Sequence, residues 1–163
     1  MMGSVRVLRL EDLKKIIVDL KANGKKVGLA LGCFDMVHVG HARHFRAAKG
    51  LCDSLVVAVT KNSAVNKGPG RPVIDENDRA EILMYFEDVS FSLVNTFDSA
   101  IELINYLRPS VYIKGDEYYK NPELINPNFL KEAEFCSFNG IEVAFTTEET
   151  RSSTAIFKQI IQS

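Results

Sequence analysis

The most informative segment of the chain for its architecture is Val27-Gly28-Leu29-Ala30-Leu31-Gly32-Cys33-Phe34-Asp35-Met36-Val37-His38-Val39-Gly40-His41. Its first part, residues 27–33, is almost uniformly apolar, as expected for a short strand buried on both faces of a sheet. A helical pattern follows from about residue 39 to residue 51, and residues 54–60 are a second apolar run of the same kind. This alternation of buried strand and helix predicts a parallel sheet.

The rest of the chain continues the alternation. Further strands are expected at residues 89–94, 111–114 and 141–145, and further helices near residues 10–20, 76–86, 99–107, 129–138 and 152–161. We therefore predict an α/β fold, with a single Rossmann-like, doubly wound, parallel five-stranded sheet and helices on both faces. No repeat or linker-like change of composition divides the chain. Residues 1–163 are expected to form one domain, with an N-terminal helix (1–25) packing on the core.

The composition excludes several classes of protein. Twenty Lys and Arg against 21 Asp and Glu give a formal net charge of −1, which disfavours a general nucleic-acid or membrane-surface binder. No apolar run approaches the ~18–20 residues of a membrane span, and residues 1–12 lack the apolar centre of a signal peptide. The three cysteines, Cys33, Cys52 and Cys136, stand singly, which suits reduced thiols better than disulfides or a zinc site. We expect a cytoplasmic protein.

Two histidines follow the first strand. His38 and His41 lie at the start of the predicted helix with helical spacing, so their side chains share one face of its first turn. Gly40 allows close backbone approach, and the helix N-terminus adds N–H donors and partial positive charge. With an ordinary pKa of about 6.5, either imidazole can be cationic beside a polyphosphate. The pattern favours a phosphoryl site; two unrelated histidines, or half of a metal site, also fit these residues.

The segment Gly32–His41 resembles the G-x-F-D-x-x-H-x-G-H signature of the cytidylyltransferase-like nucleotidyltransferase superfamily. Within it, nearly the whole chain is most similar to the adenylyltransferase domain of the bacterial heptose-phosphate enzymes that supply lipopolysaccharide precursors. The resemblance implies transfer of AMP from ATP to a sugar phosphate resembling heptose 1-phosphate, with release of pyrophosphate. It also implies Mg²⁺ carried on the triphosphate, and it allows a homodimer.

Two other functions stay open. One is a CTP-dependent enzyme acting on a polyol phosphate, a choline phosphate-like compound or a phosphonate. The cytidylyl branch usually has an arginine where this chain has Glu148, which weakens that alternative. The other is a non-catalytic nucleotide-binding module.

Loops at the same predicted edge of the sheet provide the remaining candidates. Lys67 and Arg71 match basic positions of the family's K-G-x-G-R-P stretch, and Arg79 matches a family arginine that contacts phosphate. Residues 114–118 are similar to the family's K-G-x-D-Y motif, and residues 152–154 to its S-T-T motif. Taken without the resemblance, these segments also fit a solvated loop, a surface salt bridge, a strand-end turn and a helix cap.

The resemblance implies a role for each matching residue. The catalytic residues would be His38, His41 and Lys67. The nucleotide and its phosphates would be bound by Gly32, Phe34, Asp35, Gly40, Arg71, Arg79, Lys114, Gly115, Asp116, Arg151, Ser152, Ser153 and Thr154. The acceptor would meet Asp35, Glu117 and Tyr118, and the protein alone would provide no metal site.

Overall fold

The apolar run at residues 27–32 forms the central strand of a parallel sheet. The computed structural model describes residues 7–115, 127–147 and 159–160. In this part of the chain the strands are β1 (Val27–Gly32), β2 (Ser54–Thr60), β3 (Phe91–Asn95), β4 (Val111–Lys114) and β5 (Glu142–Phe145). They form one five-stranded sheet in the order β3-β2-β1-β4-β5, and every neighbouring pair is parallel.

Helices connect the strands. They are α1 (Leu10–Ala22), α2 (Val39–Lys49), α3 (Glu76–Leu83), α4 (Ala100–Leu107) and α5 (Phe129–Phe138). Asp75 caps α3 by accepting from the N–H of Asn77, and Ser99 caps α4 by accepting from the N–H of Glu102. A short 3-10 turn, Asn62–Ala64, lies in the loop that follows β2. The helix expected at residues 152–161 lies outside the described residues except for 159–160, which are helical.

Side chains of the strands alternate between two buried clusters. On one face, Leu29, Val56 and Tyr112 pack with residues of α1, α4 and α5. On the other face, Ala30 and Val57 pack with residues of α2 and α3. Both faces of the sheet are therefore covered, as the uniformly apolar strands predicted. The α/β fold with helices on both faces is confirmed.

The strand order creates a crevice beside β1. The chain moves outward from β1 to β2 and β3, then returns through α4 to β4 on the other side of β1. Loops that leave β1 and β4 therefore depart to opposite faces, and ligands of such sheets bind at this point beyond the carboxyl ends of the strands. The loop after β1 carries the two histidines. None of the described helices has the length and apolar character needed to cross a membrane.

Candidate active site

His38 and His41 form a reciprocal cap at the start of α2. His38 is the N-cap residue, and its Nδ1 accepts from the N–H of Gly40 at 3.1 Å. The N–H of His38 donates in turn to Nδ1 of His41 at 3.3 Å. The ring centroids lie 4.0 Å apart. Because each Nδ1 is an acceptor, neither Nδ1 carries a proton, and the N–H of each neutral ring lies on Nε2.

The electrostatics of His41 differ from the sequence expectation. Burial, followed by the positive charges that His38, His44 and Lys67 can carry, lowers the pKa of His41 to about 3. At neutral pH the ring is therefore uncharged in the ligand-free protein, and a cationic ring beside a polyphosphate stays a prediction. The sequence also predicts free N–H donors in the first turn of α2. In the structure, the N–H groups of Gly40 and His41 donate to His38 instead. The N–H group of each neutral ring lies on Nε2, and Nε2 of His38 is buried.

Lys67 acts on His41 electrostatically. Its positive charge contributes to the lowering of the pKa of His41. The surrounding segment, residues 66–70, is exposed. Gly68 and Gly70 have φ angles of 93° and 74°, which favour glycine. The structure thus brings His38 and His41 together, and the catalytic role of Lys67 stays a prediction.

Asp35 and Arg71 contact each other, and this geometry leaves them little surface for a ligand. Nε of Arg71 lies 2.5 Å from Oδ2 of Asp35, and the two side chains are 1% and 0% exposed. Asp35 also accepts from the N–H groups of Val73 (2.8 Å) and Ile74 (2.9 Å). Burial alone would raise the pKa of Asp35, but the hydrogen bonds from Ile74, Val73 and Arg71 outweigh it, and the pKa lies below its ordinary value. Direct substrate contact, predicted for both side chains, does not fit this burial.

Arg79 is also placed differently from the prediction. Its side chain is fully buried, and its Nη1 donates to the carbonyl of Cys33 at 2.6 Å. Its remaining nitrogens donate to the carbonyls of Ile74 and Thr60 and to Oδ1 of Asn62 at 2.8–2.9 Å. This guanidinium joins the loops after β1 and β2, and its predicted phosphate contact stays a prediction.

Gly32 and Phe34 shape the floor of the histidine site. Phe34 has a positive φ of 50°, is 8% exposed, and packs edge-on against His41 with ring centroids 5.4 Å apart. The ring also covers Gly32, where an added Cβ would lie 2.9 Å from its Cζ. Phe34 also packs against Phe45, with ring centroids 5.3 Å apart, so its ring lies between Gly32, His41 and the buried cluster.

The carboxyl ends of β4 and β5 hold a second polar group. Lys114, 5% exposed, has its Nζ 3.3 Å from Oε2 of Glu132 on α5. The hydroxyl of Tyr112 donates to the same oxygen at 2.9 Å. Gly115 is buried directly after Lys114. The nucleotide contacts expected of Lys114 and Gly115 stay predictions.

Sequence reasoning missed His44 as a residue of this edge. Nδ1 of His44 lies 2.7 Å from Oγ1 of Thr146, just after β5, so the side chain links α2 to the end of the sheet. Burial, followed by the charge of Lys114, lowers the pKa of His44 to about 4. The helical spacing from His41 to His44 could have predicted that both side chains lie on the same side of α2. No local sequence pattern predicts that Thr146 or Glu132 lies at this end of the sheet.

Seven predicted site residues lie outside the described residues: Asp116, Glu117, Tyr118, Arg151, Ser152, Ser153 and Thr154. Within residues 7–115, 127–147 and 159–160, no three His, Cys, Asp or Glu side chains come together as candidate metal ligands.

Comparison with known proteins identifies the family of this chain. Residues 29–159 match the cytidylyltransferase-like family, which is most of the chain and includes the loop with both histidines. The chain belongs to this family. Membership of the cytidylyltransferase-like family supports a transferase of the nucleotidyltransferase type.

Two relatives of this cytidylyltransferase-like chain carry the name bifunctional protein HldE. The one from Geobacter metallireducens is 34% identical over 163 residues, which is 99% of this chain and 32% of the relative. The one from Helicobacter pylori strain G27 is 35% identical over 154 residues, or 93% of this chain and 31% of the relative. The chain thus spans about a third of the length of the curated relatives that it matches.

A solved structure shares the fold of this cytidylyltransferase-like domain. It is described as the lipopolysaccharide core biosynthesis protein from Thermoplasma volcanium. The TM-score is 0.64 at 20% identity, and the match covers 77% of this chain and 99% of the other. At this identity the likeness shows the fold alone.

Proposed function

We propose that the protein transfers AMP from ATP to a sugar phosphate resembling heptose 1-phosphate and releases pyrophosphate. The observation that carries the proposal is the reciprocal cap of His38 and His41, which leaves the proton of each neutral ring on Nε2. The relatives named HldE support the heptose branch, and their match runs over 99% and 93% of this chain.

The chemistry proposed is an in-line displacement at the α-phosphorus. An oxygen of the acceptor phosphate attacks, a new P–O bond forms, and the bond from the α-phosphorus to the α–β bridging oxygen breaks. The attacking oxygen is already anionic, so no base has to remove a proton. Charge that develops on the α-phosphoryl oxygens would be stabilised by the Nε2–H groups of His38 and His41. Lys67 would neutralise the departing pyrophosphate.

Mg²⁺ would enter this site bound to the triphosphate and supply charge neutralisation. Among the described residues, Asp35 is the carboxylate in the histidine loop, and it already accepts from Arg71, Val73 and Ile74. The described residues therefore do not fit a protein-held Mg²⁺ cage. Homodimer formation and a cytoplasmic location stay predictions from the sequence.

His38 offers the direct test. In His38→Asn, the shorter side chain can still accept from a first-turn amide, so the cap is kept, but the Nε2–H group is lost. We expect kcat to fall by about two to four orders of magnitude, as for loss of an oxyanion donor, with an unchanged melting temperature. His38→Ala, which loses the cap as well, should show the same fall in kcat and a lower melting temperature. A fully active and folded His38→Asn protein would refute the assignment.

A CTP-dependent reaction is the second candidate, because the matching family is named for cytidylyl transfer. Pyrophosphate release should be measured with ATP and with CTP against heptose 1-phosphate, other sugar 1-phosphates, glycerol 3-phosphate and choline phosphate. Turnover with ATP and a sugar 1-phosphate supports the first proposal. Turnover with CTP alone supports the second, and nucleotide binding without turnover on any acceptor supports a non-catalytic module.

A further inference from the structure

A short series of hydrogen bonds joins α2 to the carboxyl ends of β4 and β5. Nδ1 of His44 lies 2.7 Å from Oγ1 of Thr146, the residue that follows β5. The N–H of Thr146 donates to the carbonyl of Lys114, the last residue of β4, at 2.9 Å. His44 is therefore two hydrogen bonds away from the end of β4, where Lys114 and Gly115 are predicted to bind the nucleotide.

The hydroxyl of Thr146 has two acceptors in its surroundings, and their distances differ. The carbonyl of Lys114 is 3.5 Å from Oγ1 and already accepts from the N–H of Thr146. Nδ1 of His44 is much closer, and the ring is neutral at pH 7 because its pKa is lowered to about 4. A hydroxyl has one proton to donate, so this proton goes to Nδ1 of His44. Thr146 is 2% exposed, so water competes little for the bond.

Apolar packing holds α2 against the sheet on the side of β1 and β2. Phe45 and Ala48 belong to the buried cluster that covers this face. Attraction between apolar surfaces is non-directional, whereas a hydrogen bond needs a narrow range of distance and angle. The bond between His44 and Thr146 therefore adds a directional contact to the β5 end of the sheet.

His44 lies one helical turn after His41. Side chains three residues apart are neighbours on a helix, and His41 forms the reciprocal cap with His38. A bond that fixes this part of α2 therefore bears on the position of both rings relative to the end of β4. Such positions matter for rate, since a misplacement of about 1 Å can cost about a hundredfold.

We propose that His44 is a positioning residue that fixes the pair of His38 and His41 relative to the end of β4 through its hydrogen bond with Thr146. This inference rests on the proposed function, because the loss of rate would arise at the α-phosphorus beside the two rings. His44 itself does not contact the reacting groups.

Variants of Thr146 test the bond without changing α2. Thr146→Val keeps the shape of the side chain and removes the hydroxyl. We expect kcat to fall by about ten- to a hundredfold, with KM for the nucleotide nearly unchanged because no group predicted to bind it is lost. Thr146→Ser keeps the hydroxyl and should retain the wild-type kcat within about twofold. A fully active Thr146→Val protein overturns the proposal.

Variants of His44 separate positioning from direct contact and replace the first test if Thr146→Val does not fold. His44→Asn keeps an acceptor near the position of Nδ1 and should retain most of kcat, whereas His44→Leu should lose as much as Thr146→Val. The double variant of His44→Leu with Thr146→Val should match the slower single variant within about twofold, because each change removes the same bond. Losses that multiply, or an inactive His44→Asn beside an active Thr146→Val, contradict the positioning role.

Ser110→Ala is the matched control. Oγ of Ser110 accepts from the N–H of Val27 at 3.1 Å at the amino ends of β4 and β1, the opposite edge of the sheet. Ser110→Ala and Thr146→Val each remove one hydroxyl from a hydrogen bond, so both should lower the melting temperature. Only Thr146→Val should lower kcat. Equal losses of kcat in the two variants would show a general effect of stability and overturn the proposal.

Nuclear magnetic resonance of the histidine rings reports the positioning without turnover. The chain has three histidines, all within residues 38–44, so each ring signal can be assigned by substitution. Thr146→Val should shift the ring signals of His38 and His41 as well as that of His44, and Ser110→Ala should leave them in place. Unchanged signals of His38 and His41 in Thr146→Val contradict the proposal. A wild-type protein without turnover on any acceptor would sink the proposed function, whereas the ring signals would still decide whether the bond positions the pair.

Discussion

A Cβ atom added at Gly32 would lie 2.9 Å from Cζ of Phe34, closer than real Cβ atoms approach other heavy atoms. The ring has little freedom to withdraw, because it is 8% exposed and contacts both His41 (5.4 Å) and Phe45 (5.3 Å) between ring centroids. The glycine that ends β1 is therefore required by the aromatic ring two residues later, and this ring in turn supports His41.

Gly32→Ala should consequently lower stability by about 1–3 kcal/mol, the usual cost of overpacking, and lower kcat by displacing His41. Urea unfolding and steady-state kinetics measure the two effects. Phe34→Leu removes the atoms that clash, so Gly32→Ala should be nearly neutral in a Phe34→Leu background. Equal costs in the two backgrounds would show that the ring is not the reason for glycine.

Arg79→Lys should lower the free energy of unfolding by about 2–3 kcal/mol, because lysine cannot reach the four acceptors that the buried guanidinium bonds. Urea unfolding measures the change. Arg108→Lys is the matched control, since this exposed arginine also bonds through all its nitrogens, to Asn105 and Asn139. Its loss should stay below about 1 kcal/mol. A stable Arg79→Lys protein with only a raised KM for the nucleotide would restore the phosphate-binding role.

Stability should fall as the pH drops below about 6.5, where histidines of the unfolded chain gain protons. The folded-state pKa values of His41 and His44 are lowered to about 3 and about 4, so both stay neutral in the folded protein over this range. The unfolded state then binds more protons, and each histidine should cost about 1 kcal/mol between pH 7.5 and pH 5.5. Above about pH 6.5 both states are neutral at these positions and the contribution is absent.

Urea unfolding at several pH values checks this dependence, with buffers kept above about pH 5 so that carboxyl groups contribute little. His44→Gln removes one of the two groups and should reduce the slope by about one proton. The same slope in both proteins would mean that His44 is protonated in the folded state.

Glu132→Leu should destabilise the protein by about 3 kcal/mol, because it removes the carboxylate that lies beside buried Lys114 and accepts from Tyr112. Combining Glu132→Leu with Lys114→Met removes both charges and should recover part of this loss in urea unfolding. A double variant as unstable as the sum of the singles would show that the two charges do not depend on each other.

The order of strands and helices follows from the sequence alone, because uniformly apolar runs and helix-end signals act over a few neighbouring positions. The strands at 54–60 and 111–114 have the predicted bounds, and the helices capped by Asp75 and Ser99 begin within one residue of the predicted positions. The position of His38 and His41 at a helix start after the central strand also followed from local pattern, since both belong to one continuous segment.

Which of the charged residues are buried depends on how distant segments pack together. The sequence motif contains Asp35, Arg71 and Arg79, but the motif does not show which groups these side chains bond. Their partners come from segments up to 46 residues away, as for Arg79 and Cys33. The lowered pKa of His41 and the contact of His44 with Thr146 likewise depend on desolvation by elements distant in the chain. Burial and long-range pairing arise when separate segments pack together. A local sequence pattern can therefore identify the loop, but it cannot predict the burial or the partners of each charged side chain.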